Sequence, residues 1–95
     1  MSTNVFVQDR RLVILRVLGE SAGYTASDSN LDDSLDIWGH TVSRDVVVGE
    51  MHWLAEQQLV TLREVGETQI ATITQRGLDV AKGQALHPGV KRPRP

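Results

Sequence analysis

Side chains that could bind phosphate groups or the edges of DNA bases are grouped around position 44. The guanidinium of Arg44 can donate two parallel hydrogen bonds to a guanine, and the hydroxyl of Ser43 can hold a phosphate beside the start of a helix. His40 and Thr41, which precede them, are further candidates for phosphate contacts. The full set of candidate DNA-binding residues is His40, Thr41, Ser43, Arg44, Val48, His52, Arg63, Lys91, Arg92 and Arg94.

The distribution of charge weakens this interpretation. The chain of 95 residues has a net charge of -2, but residues 1–81 hold six Lys and Arg against twelve Asp and Glu, whereas residues 82–95 hold four Lys and Arg and no acid. Residues 43–58, which include Arg44, carry a net charge of -2. Duplex affinity depends largely on cations that neutralise phosphates. A monomer is therefore expected to bind double-stranded DNA weakly unless the basic end of the chain or a second copy contributes.

Other kinds of chemistry find little support in the sequence. Cysteine is absent, which excludes thiol catalysis, disulfides and cysteine-bound zinc. His40 and His52 lie twelve positions apart without a third ligand at a suitable spacing, and the adjacent Asp32 and Asp33 diverge on a helix instead of converging on a substrate. Phosphate-binding loops and nucleophile motifs are also missing. We therefore predict a protein that is not an enzyme and has no catalytic residue, no metal and no cofactor.

Nothing in the sequence predicts a membrane segment. The longest apolar run covers only residues 12–15, which is far too short to cross a bilayer. The first residues lack the basic and apolar regions of a signal peptide. We therefore expect no membrane partner and a cytoplasmic location.

The spacing of apolar residues predicts three helices in the first part of the chain. Residues 5–20 show helical periodicity. Ser27 is placed to cap a second helix of about residues 28–38, and Ser43 a third helix of about residues 44–57. The predicted buried residues of the second helix are Leu31, Leu35 and Trp38. A short turn that contains glycine joins the second helix to the third, as in a helix-turn-helix unit.

The period of the apolar residues changes after the third helix. Residues 59–73 alternate in polarity around Gly66, which predicts a two-stranded β-hairpin. Thr74 can cap a short last helix. Prolines and basic side chains then predict a flexible tail over residues 84–95, so that the domain covers residues 1–83. Three helices, a hairpin wing and a short closing helix, in this order, indicate an α+β fold of the winged helix-turn-helix class.

Three parts of the sequence resemble a known pattern. They are Ser43-Arg44-Asp45, residues 51–60 (MHWLAEQQLV) and residues 73–81 (ITQRGLDVA). Together they resemble the pattern SRD…LxxLxxxGLV…LTxxG of bacterial winged-helix regulators of the ArsR and MarR type. The whole chain, including the ending Pro88-Gly89-Val90-Lys91-Arg92-Pro93, is similar to a group of small Mu-like phage and prophage proteins.

This resemblance implies a function and a partner. It implies a phage or prophage transcriptional regulator in the cytoplasm of a bacterial host. Such a regulator would place the helix over residues 43–57 in the major groove of DNA. It would form a homodimer through the first helix and its flanking segments. One residue departs from the pattern, because Gln58 stands where glycine is usual. The corner after the third helix must therefore adopt a left-handed or strained geometry, or the helix must be slightly longer.

A second function stays open at this point. The acidic face of the helix-turn-helix unit could bind a basic protein without touching DNA, which would make the domain a non-catalytic protein–protein interaction module in phage development or assembly. The surface charge distinguishes the two functions. A positive stripe over Arg44, Arg63 and the tail favours DNA, whereas an uninterrupted negative face over the second and third helices favours a phage or host protein.

Overall fold

A computed structural model describes residues 4–94, and within this range four α-helices pack around a small antiparallel sheet. The elements are α1 (Val5–Glu20), a 3-10 turn (Ala22–Tyr24), β1 (Thr25–Ser27), α2 (Asp28–Ile37), α3 (Arg44–Glu56), β2 (Val60–Val65), β3 (Thr68–Ile73) and α4 (Gln75–Ala81). This order confirms the predicted α+β winged-helix class. Residues 1–3 of the predicted domain and Pro95 of the predicted tail lie outside the described range.

Side chains at the starts of the helices determine where those helices begin. Ser27, Ser43 and Thr74 each accept a hydrogen bond from the backbone N–H three residues ahead, at 3.2, 3.3 and 3.0 Å. Such a bond satisfies one of the N–H groups that has no partner within the helix. All three caps were predicted from the sequence. The observed α2 and α3 each end one residue earlier than predicted.

The sheet has three strands, where the sequence predicted only the two of the hairpin. The strand order is β1-β3-β2, and Ala71 in the central strand lies opposite both Ala26 and Leu62. The hydroxyls of Thr25 and Thr72 lie 2.9 Å apart and link the additional strand to the hairpin. A strand of three residues is too short to show alternation, so its pairing was not visible in the sequence.

The hydrophobic core lies between the first three helices and the sheet. Its fully buried side chains include Ile14, Leu15, Leu18, Leu31, Leu35, Val47, Met51, Leu54 and Leu59. The predicted burial of Trp38 is wrong, because 59% of this residue is exposed. The helix ends at Ile37, so Trp38 caps the helix instead of continuing its buried face, and Gly39 follows with a φ of 89°.

Gln58 adopts the left-handed conformation at the corner between α3 and β2. Its φ is 64°. The N–H of Gln58 donates to the carbonyl of Ala55, and the N–H of Leu59 donates to the carbonyl of Leu54, both at 3.0 Å. These two bonds form the motif that usually ends a helix at glycine. Of the geometries left open by the sequence, the left-handed one is observed.

The C-terminal segment, residues 84–94, packs on the domain, which differs from the predicted flexible tail. Val90 is buried, and the N–H of Lys91 donates to the carbonyl of Gln8 at 3.1 Å. Gly89 lies so close to Trp53 that a Cβ there would approach the indole ring to 2.6 Å. A few specific contacts, among them those of Gly89 and Val90, therefore anchor a segment whose overall composition is that of a tail.

None of the helices formed by residues 4–94 combines the length and the apolar character needed to span a membrane.

Candidate nucleic-acid interface

The outer face of α3 is open to solvent along its whole length. Val47, Met51 and Leu54 point into the core. On the opposite side, Gly49 and His52 are exposed, and Asp45, Val48 and Glu56 flank them as exposed or half-buried residues. A helix with this arrangement can enter a groove without losing its core contacts.

Arg44, the first residue of α3, is bound to two carboxylates of α2. Its Nε lies 3.3 Å from Oδ2 of Asp32, and its Nη1 lies 3.7 Å from Oδ1 of Asp28. Asp28 is buried and also accepts a hydrogen bond from the backbone N–H of Gln69 in β3 at 3.3 Å. The guanidinium stays half exposed but is turned towards the acidic start of α2.

The turn between α2 and α3 contains three of the predicted contact residues, and the structure separates them. Thr41 is exposed, and Ser43 is exposed while its hydroxyl caps α3. His40 is buried, with its Nε2 2.7 Å from Oδ2 of Asp9 in α1. His40 therefore ties the turn to α1 and does not face solvent, contrary to its predicted role as a phosphate contact.

The wing contributes one cation. Arg63 is exposed on β2, opposite Ile70 of β3. The next residue, Glu64, accepts a hydrogen bond of 2.6 Å from Nε2 of Gln69. Glu67 is exposed at the tip. Arg63, Glu64 and Glu67 together give the tip a net charge of -1.

A buried ion-pair network lies behind α3 and was not predicted. Both oxygens of Glu50 accept hydrogen bonds of 3.0 Å, one from Arg10 and one from Arg11 of α1. The guanidinium of Arg11 also stacks 3.6 Å from the ring centroid of Trp53 and donates to the carbonyl of Gly89 at 3.1 Å. Counting charges along the sequence treats Glu50 as a surface acid, whereas the structure neutralises it inside the domain.

His87 attaches the C-terminal segment to the end of α3. Its Nε2 lies 3.0 Å from Oε1 of Gln57, and its Nδ1 accepts a hydrogen bond of 3.0 Å from the backbone N–H of Gly89. The imidazole stands at 83° to the ring of Trp53. Partial burial, together with the positive charges of Arg76 and Arg11, lowers the pKa of His87 below 6.5. Each of these effects disfavours the charged imidazolium.

The predicted basic residues of the C-terminal segment lie in two different environments. Lys91 is half buried, and its Nζ lies 3.5 Å from Oδ1 of Asp9. Arg92 and Arg94 are exposed beside Lys82 at the end of α4. Lys91 therefore helps to hold the segment on α1, whereas the two arginines face solvent.

The described residues contain no group of three or more His, Cys, Asp or Glu side chains placed to hold a metal ion. The two histidines that the sequence singled out lie in different settings. His40 is buried against α1, and His52 is exposed on α3.

Comparison with known proteins gives two close relatives. No family model matches the chain. It is 53% identical to gp26 of Escherichia phage Mu over 95 residues, which cover all of the chain and 98% of that protein. It is 48% identical over 75 residues to a protein of Haemophilus influenzae, covering 78% of the chain and 72% of that protein.

Solved structures show where the fold is shared. A MarR family transcriptional regulator from Streptomyces coelicolor, Sco5413, matches 75% of the chain with a TM-score of 0.62 and 25% identity. A complex structure of hsRosR-S1 matches 80% with a TM-score of 0.63 and 22% identity. The chain spans 46% and 63% of the lengths of these two proteins. The chain belongs to the family of phage Mu gp26, and its fold is that of the MarR-type winged-helix regulators.

Proposed function

We propose that this protein binds double-stranded DNA and regulates transcription in a phage or prophage, reading the major groove with α3. The observation that carries the proposal is the open outer face of α3 around Gly49 and His52, in a fold shared with a MarR family regulator. Thr41 and Ser43 at the start of the helix would contact phosphates, and Val48 and His52 would reach base edges. Arg63 on the wing would follow the neighbouring backbone.

The charges on the surface of the folded domain support this proposal better than the net charge counted along the sequence does. Glu50 is neutralised inside the domain, so that the acids left on the outer side of α3 are Asp45 and Glu56. Arg44 is the cation nearest to the groove, and it must exchange Asp32 for a phosphate when DNA binds. This exchange lowers the net gain from the contact, so we expect weak binding by one copy.

Dimerisation would double these contacts. Two large apolar side chains are exposed near α1, namely Phe6 at 72% and Trp38 at 59%. A groove beside Trp38 has an apolar floor that includes Leu12, Val13 and Val17 of α1. Apolar surface of this kind favours association, and we include a homodimer through α1 in the proposed function.

The proposed function needs no catalysis, metal or cofactor, and it places the protein in the cytoplasm of a bacterial host. The solved structures that the chain resembles support a non-catalytic role because they include a transcriptional regulator. The sequence contains no catalytic motif that would favour an enzyme.

The experiment is a fluorescence anisotropy titration of random duplex DNA at low salt. Wild-type protein should bind with a dissociation constant below about 100 µM. His52→Ala and Arg63→Ala should weaken binding, whereas Arg76→Ala, which removes an exposed cation from α4, should not. Failure of the wild type to bind, or equal losses in all three variants, would overturn the proposal.

A second candidate function rests on the surface of α2. Asp33 and Asp36 are exposed next to Ile37 and Trp38, whose exposed fractions are 84% and 59%. Acidic and apolar side chains side by side fit a basic amphipathic segment of another protein. Under this alternative, a synthetic Lys/Leu helix should shift the amide signals of α2, and duplex DNA should leave those of α3 unchanged.

A further inference from the structure

Three cations lie together at the end of α4 without a carboxylate partner among residues 4–94. Four of the seven other Lys and Arg residues bind acids within the domain, and these are Arg10, Arg11, Arg44 and Lys91. Lys82, Arg92 and Arg94, in contrast, make no ion pair within 4 Å in the part of the chain that the structure describes. All three are exposed. We call these three residues the basic cluster.

The basic cluster surrounds one shallow depression on the surface. The depression is lined by Lys82, Gly83, Arg92, Pro93 and Arg94, so no acidic side chain takes part. Residues 82–94 contain no Asp or Glu at all. The local field is therefore positive although the whole chain carries a net charge of -2.

The backbone that carries the two arginines is held in place. Val90 is buried in the core, and the N–H of Lys91 is bound to the carbonyl of Gln8. The ring of Pro93 packs so closely on Gly83 that a Cβ there would lie 3.2 Å from Cγ of the proline. Proline also fixes the φ angle between the arginines. Little backbone conformational entropy is then lost when the cluster binds a ligand.

We infer that the basic cluster binds the phosphate backbone of duplex DNA, as a second contact region in addition to α3. Guanidinium groups bind phosphate oxygens in a bidentate manner, and no acidic side chain lines the depression to compete with a phosphate. The same segment is anchored on α3, because Gly89 packs on Trp53 and His87 binds Gln57. The inference rests on the proposed function, and it replaces the predicted flexible tail with a preformed binding site.

A nuclear magnetic resonance titration with random duplex DNA tests the cluster and α3 separately. Amide shifts in both regions over the same range of DNA concentration are expected. Shifts confined to α3 would overturn the basic cluster and leave the proposed function standing. Shifts confined to residues 82–94 would support the cluster and overturn reading by α3, and the absence of shifts would overturn both.

Variants that remove positive charges measure the contribution of the arginines. Arg92→Gln with Arg94→Gln should reduce the slope of log K against log salt by about 2, since each phosphate contact contributes about 0.9. Arg76→Gln removes an exposed cation of α4 outside the cluster, and it should leave the slope unchanged. A slope in the double variant equal to that of Arg76→Gln would overturn the cluster. Inorganic phosphate at the same phosphate concentration is the ligand control, because equal shifts would overturn duplex DNA as the ligand.

Discussion

Arg44 at the start of α3 binds Asp32 of α2, with 3.3 Å between Nε and Oδ2. This contact joins the helix that we propose to read DNA to the acidic helix before it. It places a carboxylate where a phosphate would otherwise bind the guanidinium. In the function that we propose, this contact would reduce non-specific DNA binding, since any phosphate must first displace Asp32.

Asp32→Asn should strengthen the binding of random duplex DNA about 2–5-fold, the range that corresponds to one exposed ion pair. The physical reason is that Arg44 then loses its nearer carboxylate partner and keeps only Asp28, at 3.7 Å, so a phosphate meets less competition. Asp36→Asn removes the same charge from an exposed residue of α2 that forms no ion pair with Arg44 within the described range. Equal gains in the two variants, measured by fluorescence anisotropy, would show that only net charge matters.

Gly77→Ala should destabilise the domain by about 2–4 kcal/mol, the cost typical of a strong overpacking defect. A Cβ at Gly77 would overlap the carbonyl oxygen of Leu59 and lie 2.6 Å from Cγ1 of Ile73. Gly49→Ala is the control, because a Cβ there has no neighbour within 4 Å, and alanine should raise helix stability by about 1 kcal/mol. Urea unfolding monitored by circular dichroism measures both. If Gly77→Ala lowered the free energy of unfolding by less than about 1 kcal/mol, the lower end of the overpacking range, this packing would be contradicted.

Gln58→Gly should stabilise the domain by about 1 kcal/mol, because glycine adopts a positive φ without the penalty that a Cβ brings. Gln58 has a φ of 64°. Gln57→Gly is the matched control one residue earlier, where φ is -83° and glycine relieves no strain. In thermal unfolding, the melting temperature of Gln58→Gly should lie above that of the wild type, and that of Gln57→Gly should lie at or below it. The reverse order would show that the corner is not left-handed in solution.

Acidification should lower the free energy of unfolding of the domain because His87 takes up a proton. Its pKa is lowered in the folded state, mainly by burial and then by Arg76 and Arg11, so the unfolded chain binds the proton more readily. The stabilisation is complete above pH 6.5, the ordinary value, and is lost as the pH falls from there through the lower pKa of the folded state. A proton on Nδ1 would also oppose the N–H of Gly89 that now donates to it.

The measurement is the free energy of unfolding in urea at pH 7.5 and pH 5.5 for the wild type and His87→Gln. The loss on acidification should be larger in the wild type, because the variant has no imidazole at this place. His52→Gln, on the exposed face of α3, should follow the wild type. The same pH dependence in all three proteins would contradict a role for His87.

The helices and the hairpin could be predicted because their signals are local. Ser27, Ser43 and Thr74 are caps that act on the backbone three residues ahead, and the apolar period separates helix from strand over short stretches. Trp38 was misplaced for a related reason. Its spacing fits the buried face of α2, but the helix stops one residue before it.

Features that depend on distant partners could not be predicted in the same way. The strand formed by Thr25–Ser27 exists only because β3, more than forty residues later, pairs with it. The burial of Val90 depends on its contact with the folded core, and nothing in the local composition of the C-terminal segment reveals that contact. For the same reason, His40 was expected on the surface and lies instead against Asp9.

The sequence by itself determined the order of the elements, their caps and the winged-helix class, because these follow from propensities and spacings within about four residues. Only the tertiary structure decided which charges remain free to act. The acids of α2 and α3 look alike in the sequence, yet Glu50 is neutralised by Arg10 and Arg11, and Asp32 by Arg44. Ion pairs between different elements depend on distances in space, and those distances exist only after the chain has folded.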